Sequence, residues 1–254
     1  MAVGVVLNGA IVAGDRRETP LIEACQLTVG YGGAPIVREI DLKVHAHEVV
    51  ALLGPNGAGK STTLLALAGE LKPMGGSVRW DGNVVSTPLH RRARAGLAFL
   101  PESKSVFSGL TAAQNLAISQ VSAAADATRM FPELREVLTR RGGALSGGEQ
   151  RMLAVGRSLS GETRLLVADE LSMGLAPKTV GRILGAIREA ADAGLGALIV
   201  EQHVHRALEV ADRVYVMQGG RIRLSMDSAD AAGAVDEIRA SYLATNAGSK
   251  DQPD

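Results

Sequence analysis

The stretch Gly54-Pro55-Asn56-Gly57-Ala58-Gly59-Lys60-Ser61 decides the fold, with Thr62 continuing it. It has the spacing G-x-x-x-x-G-K-[ST]. Val49–Leu53 (V-V-A-L-L) precedes it as a short apolar run of buried-strand type. Lys60–Leu71 follows, with Leu64, Leu67, Ala68 and Leu71 at the spacing of one helix face. Strand, glycine-rich loop and helix in that order are the setting in which this spacing makes a phosphate-binding loop. The glycines let the backbone wrap round an anion and aim N–H groups at it. The helix N-terminus adds favourable partial charge. Lys60 reaches outer phosphates, and the Ser61 hydroxyl suits Mg²⁺.

Working outward, further apolar runs at Leu165–Ala168 and Ala197–Val200 read as buried strands, with a helix marked between them by Val180, Ile183, Leu184 and Ile187. Val214–Met217 and Ile222–Leu224 flank Gln218-Gly219-Gly220-Arg221, a hairpin turn. Fully apolar strands alternating with helices predict an α/β fold, a parallel sheet covered on both faces. Residues 21–50 and 76–100 carry short alternating stretches, with Asp81-Gly82 as a turn signal, and predict a small antiparallel lobe. Residues 103–158 lack strand runs and predict an inserted helical lobe, with helices over Ala112–Ser119 and Glu133–Arg140. One domain over 21–245 is expected, with a loose extension at 1–20 and a polar, disordered tail at 246–254.

Composition narrows the function. With 254 residues and 46% hydrophobic against 21% charged, the chain has globular proportions. Basic and acidic residues balance at 27 each, which argues against nucleic-acid binding by bulk charge. Cys25 is the one cysteine, so no internal disulfide forms and a reducing compartment is expected. No apolar run reaches the ~20 residues of a membrane helix. The apolar residues 1–14 lack a basic start and are interrupted by Asn8, unlike a secretory leader.

Two more stretches carry chemistry. Leu165–Ala168 ends in Asp169-Glu170, placing two carboxylates at the carboxyl edge of a parallel sheet, where ligands bind. Asp169 is a candidate Mg²⁺ ligand and Glu170 a candidate base for an attacking water. Leu145-Ser146-Gly147-Gly148-Glu149, followed by Gln150, offers a second anion-binding helix N-terminus; taken alone it is equally a capping box, with Ser146 as N-cap and Glu149 at N3.

Together and in this order, the three motifs resemble the ATP-binding cassette (ABC) ATPases over roughly residues 21–226, with Leu145–Glu149 matching the signature L-S-G-G-[QE]. The resemblance implies a P-loop NTPase with ATP and Mg²⁺ as cofactors. It also implies two cassettes paired head to tail, each ATP lying between one subunit's P-loop and the other's signature. Tyr31, in V-G-Y-G-G, matches the aromatic that stacks on adenine; its alternative reading is an ordinary strand aromatic. Glu102, in F-L-P-E-S, replaces the Gln that senses Mg²⁺ and water. Leu171 replaces a usual Pro after Glu170, and Ser172–Ala176 matches the D-loop with Ala176 where Asp is common. In V-E-Q-H, Gln202 takes the place of the switch histidine as a catalytic candidate; a one-residue shift would give the role to His203.

These departures as a set resemble the shorter ATPase of branched-chain amino-acid uptake systems, which usually carries Glu and Gln at the two positions. That resemblance implies an importer subunit at the cytoplasmic face of the membrane. Its partners would be a second cassette (a copy or a sibling), transmembrane permease subunits and an extracytoplasmic solute-binding protein, with no nucleic acid. The alternatives are a non-transport ABC ATPase of DNA repair or translation, another P-loop enzyme such as a small-molecule kinase, and a regulatory cassette that binds ATP without turnover.

Overall fold

The computed structural model describes residues 19–103, 105–119, 123–201 and 204–233. Residues 1–18 of the expected extension at 1–20, the tail at 246–254, Gln202 and His203 lie outside them. The strands form two sheets. The first is antiparallel: β1 (Ile22–Tyr31) lies between β2 (Ala34–Val44) and β4 (Gly75–Trp80), and β4 pairs with β5 (Asn83–Val84). Asp81 and Gly82, at φ 48° and 75°, make the left-handed pair that joins β4 to β5.

The second sheet contains β3 (Val49–Leu53), β6 (Leu97–Leu100), β7 (Leu165–Ala168), β8 (Gly196–Val200), β9 (Arg213–Gln218) and β10 (Arg221–Asp227). Its order is β10-β9-β3-β8-β7-β6, parallel except for the hairpin strand β10. Gly219 and Gly220, both at positive φ, turn that hairpin.

The central strands are apolar throughout because each face covers a different core. Val49, Ala51 and Leu53 of β3 pack with Ala168, Ile199, Val214 and with helical-lobe and helix residues such as Phe131 and Ile183. Val50 and Leu52 of the same strand pack with Val167, Leu198, Met217 and with the antiparallel lobe through Ile22, Leu27 and Trp80. Side chains alternate across a strand, so one five-residue run serves two cores.

Helix α1 (Lys60–Ala68) follows β3. It stops three residues short of the expected Leu71, because Gly69 at φ 89° ends it with Gly69 N–H donating to Ala66 O and Glu70 N–H to Leu65 O. A buried guanidinium also caps this end: Arg92, on α2 (Leu89–Arg94), donates to the carbonyls of Ala66, Leu67 and Thr87. The sequence reading did not foresee α2. It also placed residues 97–100 in the antiparallel lobe, whereas β6 joins the parallel sheet beside β7. Four residues are too few for periodicity to separate an edge strand of one sheet from another.

The helical lobe holds α3 (Ala112–Ala117), α4 (Ala123–Met130) and α5 (Gly147–Leu159), with a 3-10 turn over Pro132–Val137 in place of the longer helix expected at 133–140. Then come α6 (Pro177–Asp192), α7 (Val204–Leu208) and α8 (Ser228–Gly233).

Candidate functional site

The glycine-rich loop leaves the carboxyl end of β3, which is flanked by β8 and β9. Gly54, at φ 152°, approaches the opposing chain so closely that a Cβ there would lie 2.2 Å from Met217 O. Backbone bonds tie the loop to the β9–β10 turn through Gly220 N–H to Ala58 O, and close it through Ala58 N–H to Pro55 O. Gly59, at φ 105°, starts α1 with no side-chain cap, and the first turn holds no acidic residue. The first turn of α1 thus carries no carboxylate of its own over its N-terminal amides.

Lys60 is 5% exposed, and its Nζ donates to Gly54 O at 2.9 Å and Pro55 O at 3.0 Å. Burial lowers its pKa, against which the charges of Glu170 and Asp169 act. Thr62 and Thr63 are buried behind it, and Thr63 Oγ1 donates to Gly59 O. Asn56, Gly57 and Ser61 are exposed.

The two carboxylates emerge from β7. Asp169 is 6% exposed; burial raises its pKa, a hydrogen bond with the Ser61 side chain lowers it, and Glu170 and Glu102 raise it again. Its Oδ1 is buried with no hydrogen-bond partner. Glu170 follows in the left-handed region at φ 44°, its N–H donating to Val200 O of β8. Residues from sequence positions more than 100 apart thus meet: Lys60 and Ser61 from the loop, Asp169 and Glu170 from β7.

Arg151 completes this face, and the sequence reading did not single it out. It projects from α5 and donates to Pro101 O at 3.2 Å, Glu102 O at 2.7 Å and Glu170 O at 3.5 Å. Burial lowers its pKa, and Glu102, Glu201 and Asp169 oppose that by charge. Asp169, Glu170, Glu102 and Glu201 therefore outnumber the cations Lys60 and Arg151 around one edge. Such an excess repels a triphosphate unless a further cation comes with it. The residues fit Mg²⁺: a hydroxyl and a carboxylate, both hard oxygen donors, with one carboxylate oxygen unpartnered. Among the described residues no group of three or more His, Cys, Asp or Glu could hold a metal ion.

Ser146 caps α5. Its Oγ accepts from Glu149 N–H at 3.3 Å, and Glu149 accepts from Ser146 N–H at 2.6 Å, a bond that holds the Glu149 pKa down. The capping box is real, and it leaves the amides of Gly147 and Gly148 outside it. Leu145 is buried, and Gln150 pins the preceding turn by donating to Gly142 O and Leu145 O. Gly147, Gln150 and Arg151 share a cavity of about 360 Å³ with Glu102, Ser103, Ser105, Val106 and with Met173–Leu175. No residue of the Gly54–Thr62 loop lines it. Tyr31 stands at the end of β1, half exposed, in the antiparallel sheet.

Loop, carboxylates and sheet order define a P-loop NTPase core with an ATP-binding cassette architecture. The family profile described as ABC transporter matches residues 37–172, and the chain belongs to that family, whose cassettes hydrolyse ATP. It is 37% identical over 222 residues to the high-affinity branched-chain amino acid transport ATP-binding protein BraG of Pseudomonas aeruginosa, covering 84% of this chain and 95% of that one. It is 36% identical to the probable branched-chain amino acid transport ATP-binding protein LivF of Archaeoglobus fulgidus (80% and 90% covered), and 34% identical to the lipopolysaccharide export system ATP-binding protein LptB of Acidithiobacillus ferridurans (80% and 88%). Among solved structures, the fold matches the ADP conformation of the cassette MJ1267 with a TM-score of 0.78 at 21% identity, over 88% of this chain and 98% of that one.

The protein is thus an ATPase subunit of an ABC transporter, a class that dimerises and works with membrane-spanning permease partners. None of its described helices is long and apolar enough to cross a membrane.

Proposed function

We propose that this chain hydrolyses ATP to drive import of branched-chain amino acids or a related small solute, as a single domain over 21–245 at the cytoplasmic face of the membrane. The observation that carries the hydrolysis is the meeting of Lys60, Ser61, Asp169 and Glu170 at one sheet edge. Gly54–Thr62 wrap the phosphates, with Lys60 on the outer ones, and Tyr31 stacks on adenine. Ser61 and Asp169 hold Mg²⁺, with Glu102 as a further oxygen donor; the ion neutralises charge on the phosphates. Glu170 orients the attacking water and takes its proton. Gln202 faces the γ-phosphate and donates through its amide.

Leu145–Glu149 act on the nucleotide of a partner cassette. Gly147 of this segment lines a cavity with the loops at 102–106 and 173–175 and with no residue of its own P-loop, which favours a role in trans. Gly148→Asp puts a carboxylate where a γ-phosphate must approach, and like charges repel. Its added Cβ would meet Thr179 Cγ2 at 3.3 Å, so the thermal midpoint is measured alongside and is expected to stay near that of the wild type. Nucleotide binding to the monomer is expected to stay at wild-type strength, while ATP-dependent pairing seen by size-exclusion chromatography is lost. Loss of binding to the monomer would instead put the signature in its own subunit's pocket.

Import rests on the likeness to BraG and LivF, and the LptB likeness makes export the second reading. The test is reconstitution in vesicles with the permease subunits that co-purify. A solute-binding protein loaded with a branched-chain amino acid is expected to raise ATP turnover several-fold. Stimulation by lipopolysaccharide alone would replace import with export.

A further inference from the structure

Asp169–Ser172 and Val200–Glu201 leave neighbouring strands and run side by side at the reacting edge. A backbone bond joins them, from Glu170 N–H to Val200 O at 3.1 Å. Two residues on, the Ser172 hydroxyl donates to Glu201 Oε2 at 2.6 Å. Glu201 has no exposed surface and Ser172 is 7% exposed, so neither side chain presents itself to a ligand. A carboxylate taken so far from water is costly unless hydrogen-bonded and balanced by charge. The hydroxyl supplies one bond, and the Arg151 guanidinium lies close enough for Glu201 to act on it by charge.

Ser172 opens the loop Ser172–Ala176, and its backbone is two residues from the proposed base. Glu201 immediately precedes Gln202, proposed to face the γ-phosphate. A short, charge-assisted bond therefore ties together the two segments that must act in concert.

We propose that Ser172 and Glu201 are a positioning pair that locks the chain after Glu170 to the chain before Gln202, setting the rate of the chemical step without touching nucleotide. The inference rests on Glu170 being the catalytic base. Removing either partner loosens the alignment of base and γ-phosphate contact and leaves the phosphate cradle, which lies on β3 and α1, as it was. An interaction needed only in the transition state lowers kcat and kcat/KM together.

The test compares Ser172→Ala, Glu201→Leu, which keeps the volume but cannot accept the hydroxyl's bond, the double variant and Ser172→Thr in the full chain, beside Glu170→Gln as a control. Steady-state ATP turnover, calorimetric ADP affinity and the thermal midpoint are measured for each. Ser172→Ala and Glu201→Leu are each expected to lower kcat about tenfold, with KM and ADP affinity within about threefold. The double variant is expected to be no worse than the poorer single one, since partners in one bond are not additive. Ser172→Thr restores the hydroxyl and returns most of kcat. Multiplying effects in the double variant, a change in KM instead of kcat, or a threonine variant as poor as alanine would each overturn the pair. Wild-type turnover of Glu170→Gln would instead remove the base assignment beneath it, while an inactive Glu170→Gln beside unaffected Ser172 and Glu201 variants would sink the pair alone.

Discussion

Replacing Glu170 with Gln is expected to lower ATP turnover by about 10²–10⁴-fold, the usual worth of a positioned general base. The amide keeps the size of the side chain and its ability to hydrogen-bond, so the loss isolates proton transfer. The backbone at 170 holds a left-handed φ of 44° and an N–H bond to Val200 O. Neither depends on the carboxylate. ATP that binds and is not cleaved should hold two cassettes together, so the variant is expected to elute as a dimer with ATP and as a monomer without it. Hydrolysis at the wild-type rate would take Glu170 out of the chemistry.

Lys60→Ala is expected to abolish nearly all turnover and to weaken ATP binding tenfold or more. Hydrogen bonds to charged groups contribute roughly 1.5–3 kcal/mol each, and about 1.4 kcal/mol is a factor of ten. The loss of affinity has a second source. The site carries more carboxylates than cations even with Lys60 present, and removing it leaves Asp169 and Glu170 facing the incoming phosphates without that counter-charge. Part of the deficit should therefore shrink at high salt, where screening weakens the repulsion. Calorimetry at two ionic strengths reads both effects, and wild-type affinity in the variant would refute the phosphate-binding role of the loop.

What could be read from the sequence is what local pattern encodes. The run Val49–Leu53 could be assigned because five apolar residues followed by the Gly54–Ser61 spacing admit one arrangement. The two-glycine hairpin at 219–220 was equally plain, since each turn residue takes positive φ. Leu97–Leu100 was misplaced because its partner, β7, lies some 70 residues on, and nothing local names it. Asp169, Glu170, Lys60 and Ser61 could be picked out by motif. Arg151 and the Ser172–Glu201 bond could not: they arise where β7 and β8 become neighbours and where α5 passes Pro101 and Glu102, contacts between residues 29 to 50 apart.

The alternation of β3 between two cores has a genetic consequence. Leu53 and Ala51 look toward the helical lobe that carries the signature, Leu52 and Val50 toward the antiparallel lobe that carries Tyr31. Neighbouring codons thus report to opposite halves of the molecule. Mild alleles at 51 and 53 should resemble one another, and resemble alleles at Phe131 or Ile183 more than those one codon away. Alleles at 50 and 52 should sort with Ile22 and Trp80. Second-site suppressors should respect the same division, arising on the face that was damaged and only rarely crossing the sheet.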